Sequence, residues 1–468
     1  MTLPEAFVRA CADLVGERHV LADPETLDAY ATDFWRLIKG RAALVLRPGS
    51  TEEVAGLVRL AGQHRVALVP QAGNTSLVGG GVPDASGTQV VLSLARLDRV
   101  RSVDPAGDSV VVEAGCTLAA VQAAAEGVDR LFPLSLGSEG TCRIGGNLST
   151  NAGGINVIRY GMARDLALGL EVVLADGRVW NGLRTLRKDN TGYDLKQLFL
   201  GAEGTLGVIT AAALRLFPRP RERATFFAGV ASPEAALELL GRARGRFGEL
   251  VTGFELINAF CVDVACEHLP GVRFVLTERS PWYVLAELAW SLPEGLEAAA
   301  DNFLAEAFET GLLQDVTRAQ SGAQRDMLWG MRDGISEATR TVGAVIRHDV
   351  SVPVARVPEL IERATALLAT EYPQARAIPF GHVGDGNLHL NALFPLDDPG
   401  VPAARKRLPT LVFDLVQDMG GSISAEHGIG RQKRAELHAR KDPLDIELMR
   451  RLKATLDPEG ILNPGVIV

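Results

Sequence analysis

Two short segments of this sequence concentrate side chains that bind metals and move protons. The first is Phe380-Gly-His382-Val-Gly-Asp385-Gly386-Asn-Leu-His389-Leu-Asn391. Asp385-Gly386 is a two-residue turn signal, favoured because a type I′ turn needs two residues at positive φ. A hairpin centred there pairs Gly384 with Asn387, Val383 with Leu388 and His382 with His389. Directly opposed side chains share a face, with Cβ atoms roughly 4.5–5.5 Å apart, so the two imidazoles are expected to reach one divalent cation. Asn391, two residues on, points to the same face. The second segment is Ser422-Ile-Ser-Ala-Glu426-His427-Gly428-Ile-Gly430. In a regular strand Glu426 and His427 point to opposite faces. Gly428 and Gly430 permit the irregular backbone that lets both serve one site. His382, His389 and Glu426 form a two-histidine, one-carboxylate set that leaves positions open on a divalent ion. One such histidine alone reads as an ordinary residue beside a tight turn. The grouping, three of the chain's eight histidines in two short segments, is what argues for a metal.

Three glycine-rich loops in the first half suggest a different chemistry. Pro70-Gln-Ala-Gly-Asn-Thr-Ser-Leu-Val-Gly-Gly-Gly81 follows an apolar strand pattern directly. The stretch from Pro133 to Gly154 is long, polar and almost free of charge, and Gly201-Ala-Glu-Gly-Thr-Leu-Gly207 leads into another strand pattern. Glycine lets backbone N–H groups converge on a pyrophosphate with no Cβ in the way, and Ser, Thr and Asn add neutral donors. One such loop is usually a tight turn; three in one domain are not explained by turns alone. No strand is followed by G-x-G-x-x-G, and no G-x-x-x-x-G-K-[ST] is present, so the usual dinucleotide and nucleoside triphosphate signatures are missing. A large diphosphate-bearing cofactor on another fold is left.

The elements that position these segments alternate. Residues 52–64 have helical periodicity, Val66 to Pro70 reads as a buried strand, and Gln89–Leu94, Ser109–Glu113 and Leu170–Leu174 follow as strands. Asp176-Gly177 closes the last of these before Val179, and another strand starts at Val208 to Thr210. The Pro218-Arg-Pro220 segment is the best linker. Beyond it, Ser232–Phe247 and Pro293–Gly311 read as helices, and Phe274–Leu276 and Val284–Leu288 as strands. A helical stretch is expected to begin at Trp329, with Arg332 and Ser336 on one face at i, i+4. Asp442–Leu456 reads as a helix before the Asn463-Pro464-Gly465 turn. The pattern is an α+β fold in at least two domains.

At 468 residues the chain exceeds what a single hydrophobic core supports. Its net charge of −9 argues against nucleic acid and anionic lipid as partners. No segment approaches the roughly 18 apolar residues of a membrane span. The start, Met1 to Gly16, is charged within its apolar pattern and reads as an amphipathic helix rather than a signal peptide. Five scattered cysteines point to no disulfide framework and to a reducing, cytoplasmic setting.

Together with Lys188-Asp-Asn-Thr-Gly-Tyr-Asp-Leu-Lys-Gln-Leu-Phe-Leu-Gly-Ala-Glu-Gly-Thr-Leu-Gly207, these segments resemble the vanillyl-alcohol oxidase superfamily over nearly the whole chain. The second half is similar to its D-lactate and D-2-hydroxyglutarate dehydrogenase branch. The resemblance implies a two-subdomain FAD-binding domain over 1–218 and an α+β substrate- and metal-binding cap with an antiparallel sheet over 219–430. A helical segment over 431–468 then packs back on the FAD domain. It implies that Pro70, Gln71, Ala72, Gly73, Asn74, Thr75, Ser76 and Leu77 wrap the FAD diphosphate. Pro133, Leu136, Gly137, Ser138 and the run Gly145, Gly146, Asn147, Thr150 and Asn151 line the isoalloxazine and ribityl, and Val208 and Ile209 meet the adenine side. Thr141, Gly153, Gly154, Glu203, Gly204, Gly207 and Asn463 complete the expected cofactor contacts. Some relatives tether FAD through histidine where this chain has Asn74, Thr75 and Thr141, so a non-covalent flavin is expected.

The resemblance also implies that His382, His389 and Glu426 ligate a zinc-type ion and that His427 acts as base. A 2-hydroxy acid brings a carboxylate, which a guanidinium fork recognises best. Arg332, in the family's W-x-x-R segment, is the expected anchor, with Ser336, Arg347 and Asn391 around the rest of the acid. The family more often has lysine where this chain has Arg347, and a wider, bidentate group bears on the size of the preferred acid. The expected reaction oxidises a D-2-hydroxy acid, D-2-hydroxyglutarate first, with D-lactate or glycolate as the alternative. Electrons then pass from FAD to an electron-transfer flavoprotein or quinone. A homodimer is left open. An oxidase, a non-catalytic oxidase subunit and a flavin-free hydrolase are rival readings, and the last leaves the three glycine loops unexplained.

Overall fold

The computed structural model describes residues 3–468. The chain forms two compact units. The first takes the chain up to Gly153, then Gly161–Arg219 and Glu426–Val468; the second takes Gly154–Tyr160 and Pro220–Ala425.

In the first unit β1 (Val20–Leu21), β2 (Ala42–Leu46), β3 (Leu68–Gln71) and β4 (Gln89–Ser93) form one sheet in the order β1-β2-β4-β3. β4 lies parallel to β2 and β3 and is buried along its length, as its near-continuous apolar run requires of a strand covered on both faces. β5 (Val100–Asp104), β6 (Ser109–Glu113), β8 (Ala167–Val173), β9 (Val179–Gly182) and β10 (Val208–Arg215) form an antiparallel sheet in the order β5-β6-β10-β8-β9. β7 (Arg130–Leu131) pairs with β11 (Phe217–Pro218). The Asp176-Gly177 turn joins β8 to β9, with Gly177 at φ +78°.

The helix Thr51–His64 starts where Ser50 Oγ accepts the Glu53 N–H at 3.2 Å, and Glu52 and Glu53 complement its N-terminal dipole. Its first residue also anchors a buried network: Glu171 Oε1 on β8 accepts Thr51 Oγ1 at 2.7 Å, Thr210 Oγ1 at 2.8 Å and Arg101 at 3.0 Å. With those donors the buried carboxylate is satisfied. At the other end of the unit Asp442 caps the helix Pro443–Leu456. Lys453 Nζ donates to the carbonyls of Thr205 and Leu462, and Leu462 bridges Leu68 of β3. The N-terminal helix spans Glu5–Val15; Met1 and Thr2, included in the expected helix, lie outside the described residues.

The second unit is built on one antiparallel sheet. Its strands are β12 (Glu222–Val230), β13 (Val251–Asn258), β14 (Trp282–Trp290), β15 (Asp315–Arg318), β16 (Ala344–Ile346), β17 (Asp349–Ser351), β18 (Arg376–Gly381) and β19 (Asn387–Phe394). The order is β15-β12-β14-β13-β18-β19-β16, with β17 also on β19. Ile346 pairs with Ala392 and Asp349 with His389, so one register runs through β16 and β17. Strand alternation sorts the core into two faces. Phe226, Leu256, Val284 and Leu390 pack under the helices Pro233–Phe247, Leu296–Glu309, Val357–Glu371 and Val401–Asp418. Phe227, Ile257, Leu285 and Phe380 pack under Ala259–His268, Gly322–Asp333 and Ile335–Val342.

Two expectations are corrected here. Phe274–Leu276 is not a strand. Phe274 instead lays its ring 5.7 Å from that of Tyr283 and receives Arg279 at 3.8 Å, so side-chain packing on the core, not a ladder, holds the segment. The helix expected to begin at Trp329 runs from Gly322, capped by Ser321, to Asp333. Arg332 and Ser336 therefore sit on successive helices joined at Gly334, where an added Cβ would come within 2.3 Å of Leu269 Cδ1.

Candidate active site

The histidine hairpin forms, in a different register from the one expected. Phe380, not His382, opposes His389, because β18 ends at Gly381 and a loop over 382–386 replaces the two-residue turn. Asp385 has no positive φ, so the turn is not type I′. Gly381 is at φ +148°, and a Cβ there would meet Asn387 O at 2.9 Å. Only glycine lets the two strands approach this closely at that backbone angle. The rings of His382 and His389 still converge, with centroids 5.7 Å apart at 73°.

One partner of His382 is a residue that the sequence motifs did not single out. Leu256 pairs with Gly381 across β13 and β18, which brings Glu255 beside His382. Glu255 Oε1 lies 2.5 Å from His382 Nδ1, and Oε2 accepts Arg332 Nε at 2.7 Å. Arg332 Nη2 lies 3.1 Å from His382 Nε2. A guanidinium only donates, so Nε2 is the accepting nitrogen and Nδ1 carries the proton given to Glu255. Burial pushes the Glu255 carboxyl up, but Arg332 and His382 outweigh it and hold it down at about 2. Arg332 is itself buried, at 8% exposure. It is not the solvated surface arginine that its residue type alone would suggest.

Helix Gly322–Asp333, which carries Arg332, is pinned by a second buried carboxylate. Glu287 accepts Arg325 Nε at 2.5 Å, Arg223 at 2.6 Å, Thr225 Oγ1 at 2.8 Å and the Trp329 indole N–H at 3.2 Å. Arg347 donates to the carbonyl of Ser336 at 3.2 Å, so the structure brings these two expected residues together. Burial pushes the Arg347 guanidinium down to about 10, with Arg340 and Arg405 adding like-charge repulsion; it remains a cation at neutral pH. Asn391 Oδ1 accepts the His348 N–H at 3.1 Å and so braces the edge strand. Asp349, paired with His389, is buried and accepts Asn387 Nδ2 at 2.9 Å. Glu255 and Glu287 share the one signal that could have flagged them: each interrupts an apolar strand run, Phe254-Glu-Leu-Ile and Leu-Ala-Glu287-Leu-Ala-Trp290.

In the first unit the three glycine loops pack on one another. A Cβ on Gly73 would come within 2.5 Å of Thr141 O, one on Gly146 within 3.2 Å of Ala72 Cβ, and one on Gly204 within 3.2 Å of Pro70. Residues 72–77, which follow β3 directly, are half-buried. Asn74 sits at φ +52° and donates to Thr32 O at 2.8 Å, while its buried Oδ1 meets no protein donor. Asn463 donates to the carbonyls of Gly80 and Glu203, and its Oδ1 is in the same state. These two acceptors suit a ligand rich in N–H and O–H groups. Gly137 is exposed, with open space where a Cβ would stand.

Other expected contacts are already engaged within the protein. Gln71 Nε2 donates to Tyr30 O and Gly81 O. Thr150 Oγ1 bonds Gly146 O, and Asn151 Oδ1 accepts Arg164 N–H. The side chains of Val208 and Ile209 are buried in the core, as is that of Asn147. Pro133, Gly145 and Gly153 are buried, Leu136, Ser138, Thr75, Ser76 and Leu77 half-buried, and Gly207 is held against Val172 and Phe199. Gly154 opens the short segment assigned to the second unit. Glu203 accepts the N–H groups of Ile429 at 2.7 Å and Gly430 at 2.8 Å. The segment through Glu426 and His427 is irregular as expected, with Gly428 at φ +80° and Gly430 at φ +54°. A Cβ on Gly153 would come within 2.9 Å of Glu426 Oε1, so the second glycine loop abuts this segment.

Comparison with known proteins gives the family of the chain. The model of the C-terminal domain of FAD linked oxidases matches residues 219–467, and that of an FAD binding domain matches residues 42–182. The mitochondrial D-2-hydroxyglutarate dehydrogenase of Bos taurus is 41% identical over 456 residues, 97% of this chain and 82% of the relative. Its counterpart in Rattus norvegicus is 40% identical over 446 residues, 95% and 82%. Among solved structures, an alkyldihydroxyacetonephosphate synthase superposes with a TM-score of 0.76 at 18% identity, covering 98% of this chain and 86% of its own; this shows the fold. The chain belongs to the FAD-linked oxidase family, and is an FAD-dependent oxidoreductase acting on CH–OH groups with the vanillyl-alcohol oxidase type of fold.

Proposed function

We propose that the protein oxidises D-2-hydroxyglutarate to its 2-oxo acid with FAD as the immediate electron acceptor. The observation that carries this reading is the buried Arg332 guanidinium beside the converging rings of His382 and His389, a place for a carboxylate and the neighbouring hydroxyl. Arg332 pairs with the C1 carboxylate. Arg347, with Ser336 and Asn391, receives the far end of the acid, and a second, half-buried cation favours a second carboxylate there.

His382, His389 and Glu426 are the proposed ligands of a zinc-type divalent ion. The donor set fits: His382 donates its Nδ1–H to Glu255, which leaves the Nε2 lone pair, met by Arg332 Nη2 at 3.1 Å, for an ion that would take that donor's place. Ser422 bridges Ser351 of β17, and Glu426 follows four residues on. A bound ion of this type supplies Lewis acidity that lowers the pKa of a substrate hydroxyl. His427 takes the hydroxyl proton on a ring nitrogen. Bound FAD supplies the two-electron acceptor for the C2 hydrogen, and is held without a covalent bond, since Asn74, Thr75 and Thr141 stand at the tethering positions.

Electrons leave through an electron-transfer flavoprotein or quinone. The five cysteines are all free, which suits a reducing compartment, the cytoplasm in this reading. Among the described residues no helix is long and apolar enough to cross a membrane. A dye-reduction screen with both enantiomers of 2-hydroxyglutarate, lactate and malate tests the assignment. D-2-hydroxyglutarate is expected to give the largest kcat/KM; a larger value for D-lactate would reassign the substrate, and no reduction with any acid would sink the reading.

A further inference from the structure

We infer that Glu255 is the positioning residue of this site: one buried carboxylate sets both the metal-facing nitrogen of His382 and the substrate-facing fork of Arg332. The inference rests on the metal reading above and goes beyond its ligand set. Glu255 is fully buried on β13, between Phe254 and Leu256, whose side chains belong to the opposite face of the sheet. Its two oxygens are divided, Oε1 to His382 Nδ1 and Oε2 to Arg332 Nε. Arg332 Nη2 meets the His382 Nε2 lone pair at 3.1 Å and closes a ring; an ion on Nε2 would displace that one bond and leave both Glu255 bonds in place. Each bond in that ring fixes the rotation of the side chain at its far end. It also fixes the tautomer, because an Nε2–H would point at a guanidinium that can only donate.

An isosteric amide cannot restore the ring. In Glu255→Gln one end of the side chain is an oxygen and the other an NH2. With the oxygen on Arg332 Nε, the NH2 faces His382 Nδ1, which must then accept, so the proton moves to Nε2, the nitrogen needed for the ion. With the oxygen on His382, the NH2 faces an arginine N–H and the fork is pushed aside. A carboxylate is required at this position for both jobs at once. A purely structural ion pair would need the Glu255 charge only to offset the buried Arg332, with no demand on which nitrogen of His382 carries the proton.

The test uses FAD-loaded enzyme, with zinc and manganese binding measured by equilibrium dialysis and elemental analysis. E255Q should bind each ion roughly 10–100-fold more weakly than wild type, the usual effect of losing a residue that orients a ligand histidine, with an unchanged flavin spectrum. It should also raise KM for D-2-hydroxyglutarate. His382→Ala is run beside it, and E255Q added to that background should weaken binding no further, because Glu255 acts on the ion through His382. If E255Q binds both ions like wild type while His382→Ala loses them, the positioning role is overturned and the metal reading stands. If His382→Ala binds like wild type, the metal reading itself is overturned. Should E255Q not retain FAD, Glu255→Asp is read in the same way, as it keeps the charge but falls one methylene short of closing the ring.

Discussion

Glu203 and Ile429 lie 226 residues apart, yet the Glu203 carboxylate accepts the Ile429 N–H at 2.7 Å. Its other oxygen takes the Gly430 N–H, and a Cβ on Gly428 would come within 2.8 Å of it. Burial pushes this carboxyl up, and the two N–H bonds offset only part of that. A residue of the third glycine loop thus holds the backbone that carries His427. Glu203→Gln keeps one acceptor and turns an NH2 toward a backbone N–H, a loss of about 1–3 kcal/mol. The variant should retain FAD but reduce it with D-2-hydroxyglutarate at least about tenfold more slowly in anaerobic stopped flow. An unchanged reduction rate would show that the loop holds its shape without Glu203.

Arg332→Lys replaces a fork held by Glu255 with a point charge, so it loses about 1.5–3 kcal/mol of charge-assisted bonding. kcat/KM should fall by roughly one to two orders of magnitude while flavin content stays the same. Equal kcat/KM in the two proteins would remove Arg332 from substrate binding and leave it a structural partner of Glu255.

Chelation should abolish turnover and leave the flavin spectrum intact, and zinc or manganese should restore it. His382→Ala and His389→Ala should each lose most activity, and the double variant little more, since ligands of one ion act as a unit. His427→Ala should keep the metal and bind substrate, with slow flavin reduction that recovers in part at high pH. Full activity in protein shown by elemental analysis to be free of metal would end the assignment.

Acid or heat precipitation should release FAD into the supernatant, because no histidine stands at the tethering positions Asn74, Thr75 and Thr141. Yellow colour in the denatured pellet is the contrary result.

Burial pushes the Glu171 carboxyl up, but its bonds to Arg101, Thr51 and Thr210 outweigh that and hold it below the usual carboxylate range. A carboxyl that ionises more readily folded than unfolded contributes stability above the unfolded pKa, and that stability is lost as pH falls through the folded value. Arg101→Met should therefore lower Tm most at neutral pH, with the difference from wild type shrinking below about pH 4.5. A difference that does not change with pH would mean that Arg101 matters through packing alone.

Much of this protein is written locally. Ser50, Ser232 and Asp442 cap the helices they precede, Asp176-Gly177 makes its turn, and the glycine loops and the His-x-x-x-x-x-x-His hairpin stand out because their signals lie within a few residues of each other. The apolar alternation of β12, β13 and β14 likewise assigns each side chain to a face. Tertiary structure decided what crosses between strands. The hairpin shifted its register because Gly381 lets the backbone turn early and close against Asn387. Phe274–Leu276 is irregular, and Phe274 is placed instead by its ring contact with Tyr283, whose strand lies elsewhere in the chain. Glu255 meets His382 across 127 residues and Arg332 across 77. Nothing local to any of the three specifies the other two. Their meeting follows from β13 pairing with β18, and a pairing of that kind is fixed only when the whole sheet and both its covering layers of helices are in place.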